Sequence, residues 1–249
     1  MSDFKKYLNV YQFEITLPGT GELIQFKPIT TGQIKKLLVY EGSENLNIIE
    51  TVMDDLLVSS VITEDFNVDD LYLQDRFFLL IEIRKHSKGK HYNFEIKCPQ
   101  CESQSLQSIN LDNLPFTLKP ENIDYSVKVN DNITVELDFV KRIDQKIAID
   151  FVEEGGSEAQ GMQRLAEISV VATAQAVKSI VTPEGTDDDL PLEDRVYLLD
   201  NLSQQEFETV TAWFEKNSYG VDFEFELKCH HEPCDFNQKI EIPIENFFF

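Results

Sequence analysis

The sequence predicts an α+β fold with an internal duplication: two pseudo-symmetric halves, each made of a hairpin, helices and a cysteine knuckle. Three observations support this prediction. The four cysteines form two pairs, CPQC at 98–101 and CHHEPC at 229–234, and each pair follows the same approach F-E-x-K-C. The segment before one pair aligns with the segment before the other without a gap. Each half also opens with alternating apolar and polar residues and continues with apolar residues at helical spacing.

The duplication is most visible around the cysteines. Residues 71–98 match residues 202–229 at a constant shift of 131 positions. The gap inside the second cysteine pair is two residues longer, and after it residues 109–116 match residues 242–249. Self-similarity of this kind indicates a repeated structural unit.

The matching segments place the first repeat at 10–116 and the second at 124–249. The connecting segment TLKPENID contains Pro120 and has little apolar pattern of its own. If the two repeats pack face to face, their equivalent cysteine turns come close together.

A β-hairpin is predicted at the start of each repeat. FEITLPGTGELIQF at 13–26 alternates apolar and polar residues around Pro-Gly-Thr-Gly. YSVKVNDNITVELDF at 125–139 does so around Asn-Asp-Asn. Alternation on both sides of such a turn is typical of two antiparallel strands.

A short helix is predicted after each hairpin. Thr31 and Asp144 are residue types that cap helix N-termini, and Gly42 and Gly155 suit a left-handed C-terminus. Apolar residues four positions apart predict the buried stripes, which are Ile34 with Leu38 and Ile147 with Phe151.

Two further helices are predicted in each repeat. The first is long and amphipathic, with Leu46, Ile49, Met53, Leu56 and Leu57 or Leu165, Ile168 and Ala172 on its buried face. The second begins at a capping box, Ser203 with Glu206, in one repeat, and in the other it is apolar nearly all round and central to the core. Its apolar residues are Phe207, Val210 and Phe214, or Phe77, Phe78, Leu80, Ile81 and Ile83. The acidic segment VTPEGTDDDLPLED is predicted to be a loop that holds much of the insertion in the second repeat.

The charge of the chain limits its partners. There are 45 Asp and Glu against 22 Lys and Arg, a formal net charge of −23. Nucleic acids and anionic membranes are bound largely through Lys and Arg, so we expect neither as a partner. Other proteins and cations remain as possible partners.

The cysteines are expected to be reduced. The N-terminal MSDFKKYLNVYQF lacks the apolar segment of a signal peptide, and no run of about 18 apolar residues is present. We therefore expect a chain made in a cytoplasm, where paired cysteines are metal ligands or redox centres more often than disulfides.

The cysteine spacing favours a structural zinc site. Two pairs, each on a tight turn between strands, can supply four thiolates to one tetrahedral ion. The predicted ligands of one zinc per chain are Cys98, Cys101, Cys229 and Cys234. An ion bound in this way would clamp the two repeats together.

Three other interpretations of the cysteines stay open. CPQC resembles a redox dithiol, although such motifs act from the start of a helix and this one follows a strand-like segment. The cysteines could also remain without metal. His230 or His231 could replace a thiolate, but the first repeat has Pro99 and Gln100 at the corresponding places, and exposed loop histidines are the simpler interpretation.

No catalytic constellation is apparent, and a protein without enzymatic activity is expected. PGTGE and EGGSEAQG are not followed by the lysine that a phosphate-binding loop needs, and no nucleophile-elbow or metalloprotease motif occurs. Trp213 is predicted to lie in the core, and the terminal ENFFF to be packed structure.

The first repeat resembles a known family. An apolar helix leads to IRKHSKGKHYNFEIKCPQC, a form of R-x-x-S-x-G followed by C-P-x-C, and an acidic, leucine-containing strand follows. Together with FKPITTGQIKKLL upstream, this order resembles the baseplate hub and hub-assembly proteins of T-even (T4-like) myophages. The resemblance covers 10–116 directly and the second repeat through its likeness to the first.

The resemblance implies a non-enzymatic protein of a contractile tail, either part of the baseplate hub or an assembly factor for it. It would bind other tail proteins, with hub subunits and the tape-measure protein as candidates. Binding would take place in the cytoplasm of the infected host during assembly and, for a hub component, also in the baseplate of the virion. A zinc-ribbon adaptor in a nucleic-acid process such as transcription is the alternative, although RKHSKGKH is its one short basic run. A CxxC redox protein is the third interpretation.

Overall fold

The structure, a computed structural model, describes residues 11–40, 46–156, 159–243 and 247–248. Within these ranges the chain is mixed α/β, with seven α-helices and several small antiparallel sheets. The helices are α1 Thr31–Leu37, α2 Leu46–Ser60, α3 Leu73–Lys88, α4 Arg142–Glu154, α5 Met162–Ala176, α6 Leu192–Asn201 and α7 Gln204–Lys216. The strands are β1 Phe13–Thr16, β2 Leu23–Phe26, β3 His91–Lys97, β4 Gln104–Asn110, β5 Phe116–Thr117, β6 Ser126–Lys128, β7 Thr134–Leu137, β8 Val177–Thr182, β9 Gly185–Asp187, β10 Gly220–Val221, β11 Glu224–Lys228 and β12 Asn237–Glu241.

The chain divides into two compact units that interleave in sequence. The first unit comprises Met1–Phe66, Phe77–Thr117 and Gly220–Phe249, and the second comprises Asn67–Arg76 and Leu118–Tyr219. Strands β10, β11 and β12 therefore belong to the same unit as β1 and β2. Compact units and sequence repeats are different properties, so the duplication and its boundaries stay a prediction.

The first unit contains four two-stranded antiparallel sheets around α3. The predicted first hairpin is confirmed, because β1 pairs with β2 from Phe13 opposite Phe26 to Thr16 opposite Leu23. The other pairs are β3 with β4, β5 with β10, and β11 with β12. The prediction that α3 is central is also confirmed, since its buried residues include Leu79, Leu80, Ile81 and Ile83.

The second unit contains a four-stranded antiparallel sheet in the order β6-β7-β8-β9. Its first two strands confirm the second predicted hairpin. Val135, Leu137 and Phe139 pack with Trp213 in its core, as predicted for the tryptophan. The acidic segment is not simply a loop: β8 and β9 form a further hairpin there, and α6 begins at Leu192.

The predicted N-terminal caps of two helices are wrong by one or more residues. Thr30, not Thr31, caps α1, and its hydroxyl accepts from the backbone N–H of Gln33. Asp144 lies one turn inside α4, where its carboxylate accepts from the backbone N–H of Lys141. Ser203 caps α7 as predicted, in a capping box with Glu206.

The predicted C-terminus of α4 is also corrected. Gly155 has a right-handed conformation with φ of −65°, and the left-handed residue is Gly156 with φ of 67°. Glycine lacks the Cβ that makes this conformation costly, so the turn requires Gly156 rather than Gly155.

Several predicted apolar stripes face solvent in part. Leu38 is 45% exposed while Leu37 is buried, and Ile147 is 38% exposed while Ala148 and Ile149 are buried. Leu165 is likewise exposed, whereas the predicted partners of Leu165 on α5 are buried. Spacing alone does not decide which of two adjacent apolar residues meets the core.

Some expectations concern residues outside the described ranges. Gly42, the side chain of Leu46 and most of ENFFF are among them. Phe247 and Phe248 are described and are buried, which agrees with packed structure at this end of the chain.

Candidate metal centre

The first cysteine pair lies on the turn that joins β3 to β4. Lys97 pairs with Gln104 at the end of this hairpin. The backbone N–H of Cys98 donates to the carbonyl of Ser103 over 2.9 Å, and the N–H of Glu102 donates back to the carbonyl of Cys98 over 2.9 Å. These bonds tighten the turn so that the sulfurs of Cys98 and Cys101 lie on one side of it.

The second pair lies on the turn that joins β11 to β12. The backbone N–H of Cys229 donates to the carbonyl of Phe236 over 2.9 Å, and that of Cys234 donates to the carbonyl of His231 over 2.7 Å. The N–H of His231 points at the sulfur of Cys229 over 3.4 Å. Both pairs therefore sit on hydrogen-bonded turns, not at the start of a helix.

The two hairpins belong to the first unit and contact each other beside the cysteines. The aromatic residues that open each F-E-x-K-C segment, Phe94 and Phe225, pack edge to face with ring centroids 5.2 Å apart. At the turns, the amide of Gln100 donates to the carboxylate of Asp235 over 3.1 Å. The shared F-E-x-K-C motif thus supplies both the phenylalanine that packs between the hairpins and a cysteine that can bind a metal.

All four sulfurs come together at this contact. Cys98 Sγ lies 3.7 Å from Cys234 Sγ, and Cys101 Sγ lies 3.6 Å from Cys229 Sγ. Every sulfur is within 4.8 Å of the other three. A tetrahedral zinc with bonds of about 2.3 Å places its sulfur ligands about 3.8 Å apart, so the cluster has the dimensions of a four-thiolate site.

Ser103 is a part of the centre that the sequence analysis missed. Its hydroxyl lies 3.1 Å from Cys101 Sγ and 3.5 Å from Cys229 Sγ. A hydrogen bond from this hydroxyl, aided by the backbone N–H of the same residue, lowers the pKa of Cys101 to about 6. The same hydroxyl is the main cause that lowers the pKa of Cys229. A serine two positions after the second cysteine was its only signal in the sequence.

Cys234 differs from Cys101 and Cys229, because its surroundings disfavour the thiolate. The backbone N–H of Phe236 favours its thiolate, but desolvation and the three neighbouring sulfurs outweigh that bond and raise the pKa of Cys234. Ionisation of one thiol therefore disfavours ionisation of its neighbours, since like charges at this distance repel. A divalent cation would remove this repulsion and let all four thiols ionise.

The ring nitrogens of the two histidines in the second turn are not among the clustered ligand atoms. His230 and His231 are both exposed, as their simpler interpretation predicted. Neither belongs to the cluster of ligand atoms that includes the four cysteines. The coordination set available in this geometry is four sulfurs.

Membrane insertion finds no support among the described helices. None of them combines the length and the apolar character that crossing a bilayer requires.

Comparison with known proteins shows a similarity to a phage family. The sequence model of a family described as T4 bacteriophage base plate protein matches residues 9–249. Searches of curated proteins and of solved structures give no match. The match extends over both predicted repeats and all four cysteines.

Proposed function

The chain belongs to the T4 bacteriophage base plate protein family, and from this premise we propose that it is a non-enzymatic tail protein that binds other tail proteins. Its place would be in the baseplate hub or in the assembly of that hub. A structural zinc ion, held by Cys98, Cys101, Cys229 and Cys234, would stabilise it.

The convergence of the four sulfurs is the observation that carries the zinc proposal. Cys101 and Cys229 are 128 positions apart in the sequence, yet their sulfurs are 3.6 Å apart. Thiols at this spacing repel when ionised and gain little from one another when protonated. A bound cation gives a physical reason for the arrangement.

Zinc at this position would fasten two distant parts of the chain. The segment between the two pairs contains Leu118–Tyr219, so the ion would close the first unit on both sides of that insertion. The predicted clamp between repeats becomes, in this proposal, a clamp within one compact unit. Structural zinc in small peptides contributes on the order of 10–16 kcal/mol, so such a clamp would matter to folding.

The donor set supports a structural role over a catalytic one. Four protein sulfurs complete a tetrahedral shell and leave no position for water or substrate. The lowered pKa of Cys101 is the observation closest to redox chemistry. The same hydroxyl contact also suits a thiolate ligand, and we favour that role because Cys101 lies among three other cysteines.

We infer that the partners are tail components. Net charge of −23 disfavours nucleic acid, so partner surfaces that are basic or apolar fit best. Hub subunits and the tape-measure protein are the candidates named by the resemblance. Assembly would take place in the host cytoplasm, and a hub component, unlike an assembly factor, would then be incorporated into the virion baseplate.

Metal content tests the zinc proposal directly. We expect one zinc per chain in protein purified without chelator, and loss of that zinc in Cys98→Ser. Ser105→Ala is the matched control, because it removes a hydroxyl from β4, beyond the turn, and leaves Ser103 and all four ligands in place. Wild-type protein without metal and with four freely titrating thiols would contradict the zinc proposal.

Association tests the tail role separately. An affinity-tagged chain expressed in phage-infected cells should recover tail proteins identifiable by mass spectrometry. Recovery of no tail component, from cells that assemble complete tails, would contradict the role even if zinc is present.

A further inference from the structure

A shallow depression marks the second unit where α4, α5 and α6 meet. Its volume is about 470 Å³, within the range of roughly 300–1,000 Å³ that is usual for ligand pockets. Phe151 comes from α4, Ala166 and Val170 from α5, and Val196 from α6. The depression is distinct from the cysteine centre, which lies in the first unit.

The floor of the depression is apolar and continues beyond it. Ala166 and Val170 are four positions apart and thus share one face of α5. On α4, Ile143 and Ile147 precede Phe151 at the same spacing and are 37% and 38% exposed. The result is a row of apolar side chains along α4, several turns long, that stays partly exposed.

The rim of the depression is acidic. The exposed Asp200 lines it, as does Glu167, which already has an interaction within the chain, and no lysine or arginine lines it among the described residues. The nearby Arg164 donates to the carboxylate of Glu153 over 2.7 Å, so an acidic partner already balances its charge. Asp150, on α4 next to Phe151, is exposed.

We propose that this groove of α4, α5 and α6 binds an amphipathic helix of another tail protein, with apolar residues on one face and Lys or Arg beside them. Apolar residues at helical spacing would fill the depression, and basic residues would meet its rim, as in helix-in-groove recognition. Charge complementarity selects this occupant. A second copy of the chain would bring another acidic surface, since its net charge is −23.

The inference rests on the proposed tail role only for the origin of the helix. The groove itself can be tested with a synthetic probe and the full-length, metal-loaded protein. The probe is a labelled helical peptide of about 18 residues, with leucines at i, i+4, i+7 and i+11 and lysines beside them. A scrambled peptide of the same composition and a version with glutamate for lysine serve as comparison probes.

Two variants address the rim and the floor. Asp200→Lys reverses the charge at the rim, and lysine near the end of α6 remains compatible with the helix dipole. Its control is Asp188→Lys, the same change in an exposed acidic run outside the depression. Val170→Ser makes the floor polar, and Val58→Ser, on the half-exposed surface of α2, is its control.

Fluorescence anisotropy at low salt should show saturable binding of the patterned peptide. We expect Asp200→Lys and Val170→Ser each to weaken it at least about fivefold, with both controls near wild type. Valine methyl resonances of the wild type should shift at Val170 and Val196. The proposed helix-binding role of the groove would be overturned by any of three results. These are no binding of the patterned peptide, equal binding of the scrambled peptide, or equal weakening by Asp188→Lys. Recovery of tail proteins from infected cells would leave the proposed function standing in any of those cases.

Discussion

The sulfurs of Cys98 and Cys234 lie 3.7 Å apart, although these residues are 136 positions apart in the sequence. The cysteine that opens the first turn thus meets the cysteine that closes the second. Cys101 and Cys229 form the other such contact. This crossed arrangement distinguishes one shared four-sulfur centre from two independent dithiols, and it leads to predictions for metal removal and for oxidation.

Removal of the metal should destabilise the protein. A ligand that binds only the folded state at a free concentration of about a thousand times its Kd contributes about 4 kcal/mol. We therefore expect chelator to reduce the free energy of unfolding by at least about this amount, measured by urea denaturation. Cys98→Ser should already have lost this contribution, and a further large effect of chelator on that variant would contradict a four-cysteine centre.

Oxidation of the metal-free protein should produce crossed disulfides. Diamide, which accepts two electrons for each disulfide formed, should join Cys98 to Cys234 and Cys101 to Cys229, because those sulfurs already touch. Peptide mapping by mass spectrometry under non-reducing conditions identifies the pairs. Predominant Cys98–Cys101 and Cys229–Cys234 bonds would instead indicate that the two hairpins separate without metal.

Ser103 should control the reactivity of Cys101. Its hydroxyl favours the thiolate and lowers the pKa of Cys101 to about 6, so most of this cysteine is ionised at neutral pH in the metal-free protein. Removal of the hydroxyl raises that pKa and reduces the thiolate fraction. We expect Ser103→Ala to slow alkylation of Cys101 by iodoacetamide at pH 7, with the difference disappearing above about pH 9.

The control for that experiment is Ser105→Ala, on strand β4, which follows the turn that carries Ser103. An unchanged pH profile of Cys101 alkylation in Ser103→Ala would show that the hydroxyl does not stabilise the thiolate.

Arg84 should be essential for the packing of the chain end. This buried guanidinium donates to the carbonyl of Phe247 over 3.2 Å, to the carbonyl of His91 over 3.0 Å and to that of Gly89. It also lies 5.5 Å from the ring centre of Tyr92. We expect Arg84→Ala to reduce the free energy of unfolding by about 3 kcal/mol or more, because buried carbonyls lose their donors.

Arg84→Lys should recover only part of that loss, since a single ammonium cannot replace a planar fork of donors. Lys35→Ala, on the exposed surface of α1, is the control for charge removal. Urea denaturation measures all three variants, and near-equal stability of Arg84→Ala and wild type would contradict this role.

Much of the secondary structure could be predicted because it depends on neighbouring residues. Alternation around Pro18–Gly21 and around Asn130–Asn132 was enough to predict two hairpins. The capping box formed by Ser203 and Glu206 predicted the exact residue at which α7 begins. These signals lie within a few positions of one another, so no knowledge of the remaining chain was needed.

The prediction was wrong where two adjacent residues competed for the core. Leu37 is buried instead of Leu38, and Ile149 instead of Ile147, because the elements packed against each helix decide its orientation. Thr30 instead of Thr31 caps α1 for a related reason, since both are acceptable caps and only the path of the preceding chain selects one.

Residue chemistry and spacing therefore determined the α+β class, the hairpins, most helices and the suggestion of a four-cysteine site. Tertiary structure decided that β10, β11 and β12 join β1 and β2 in one unit, and that Ser103 lies between Cys101 and Cys229. It also decided that Ile143, Ile147 and Phe151 form a partly exposed row beside an acidic rim. The physical reason is range: hydrogen bonds of turns and caps are made within a few residues, whereas burial, thiol pKa values and grooves arise from contacts between segments that are far apart in the sequence.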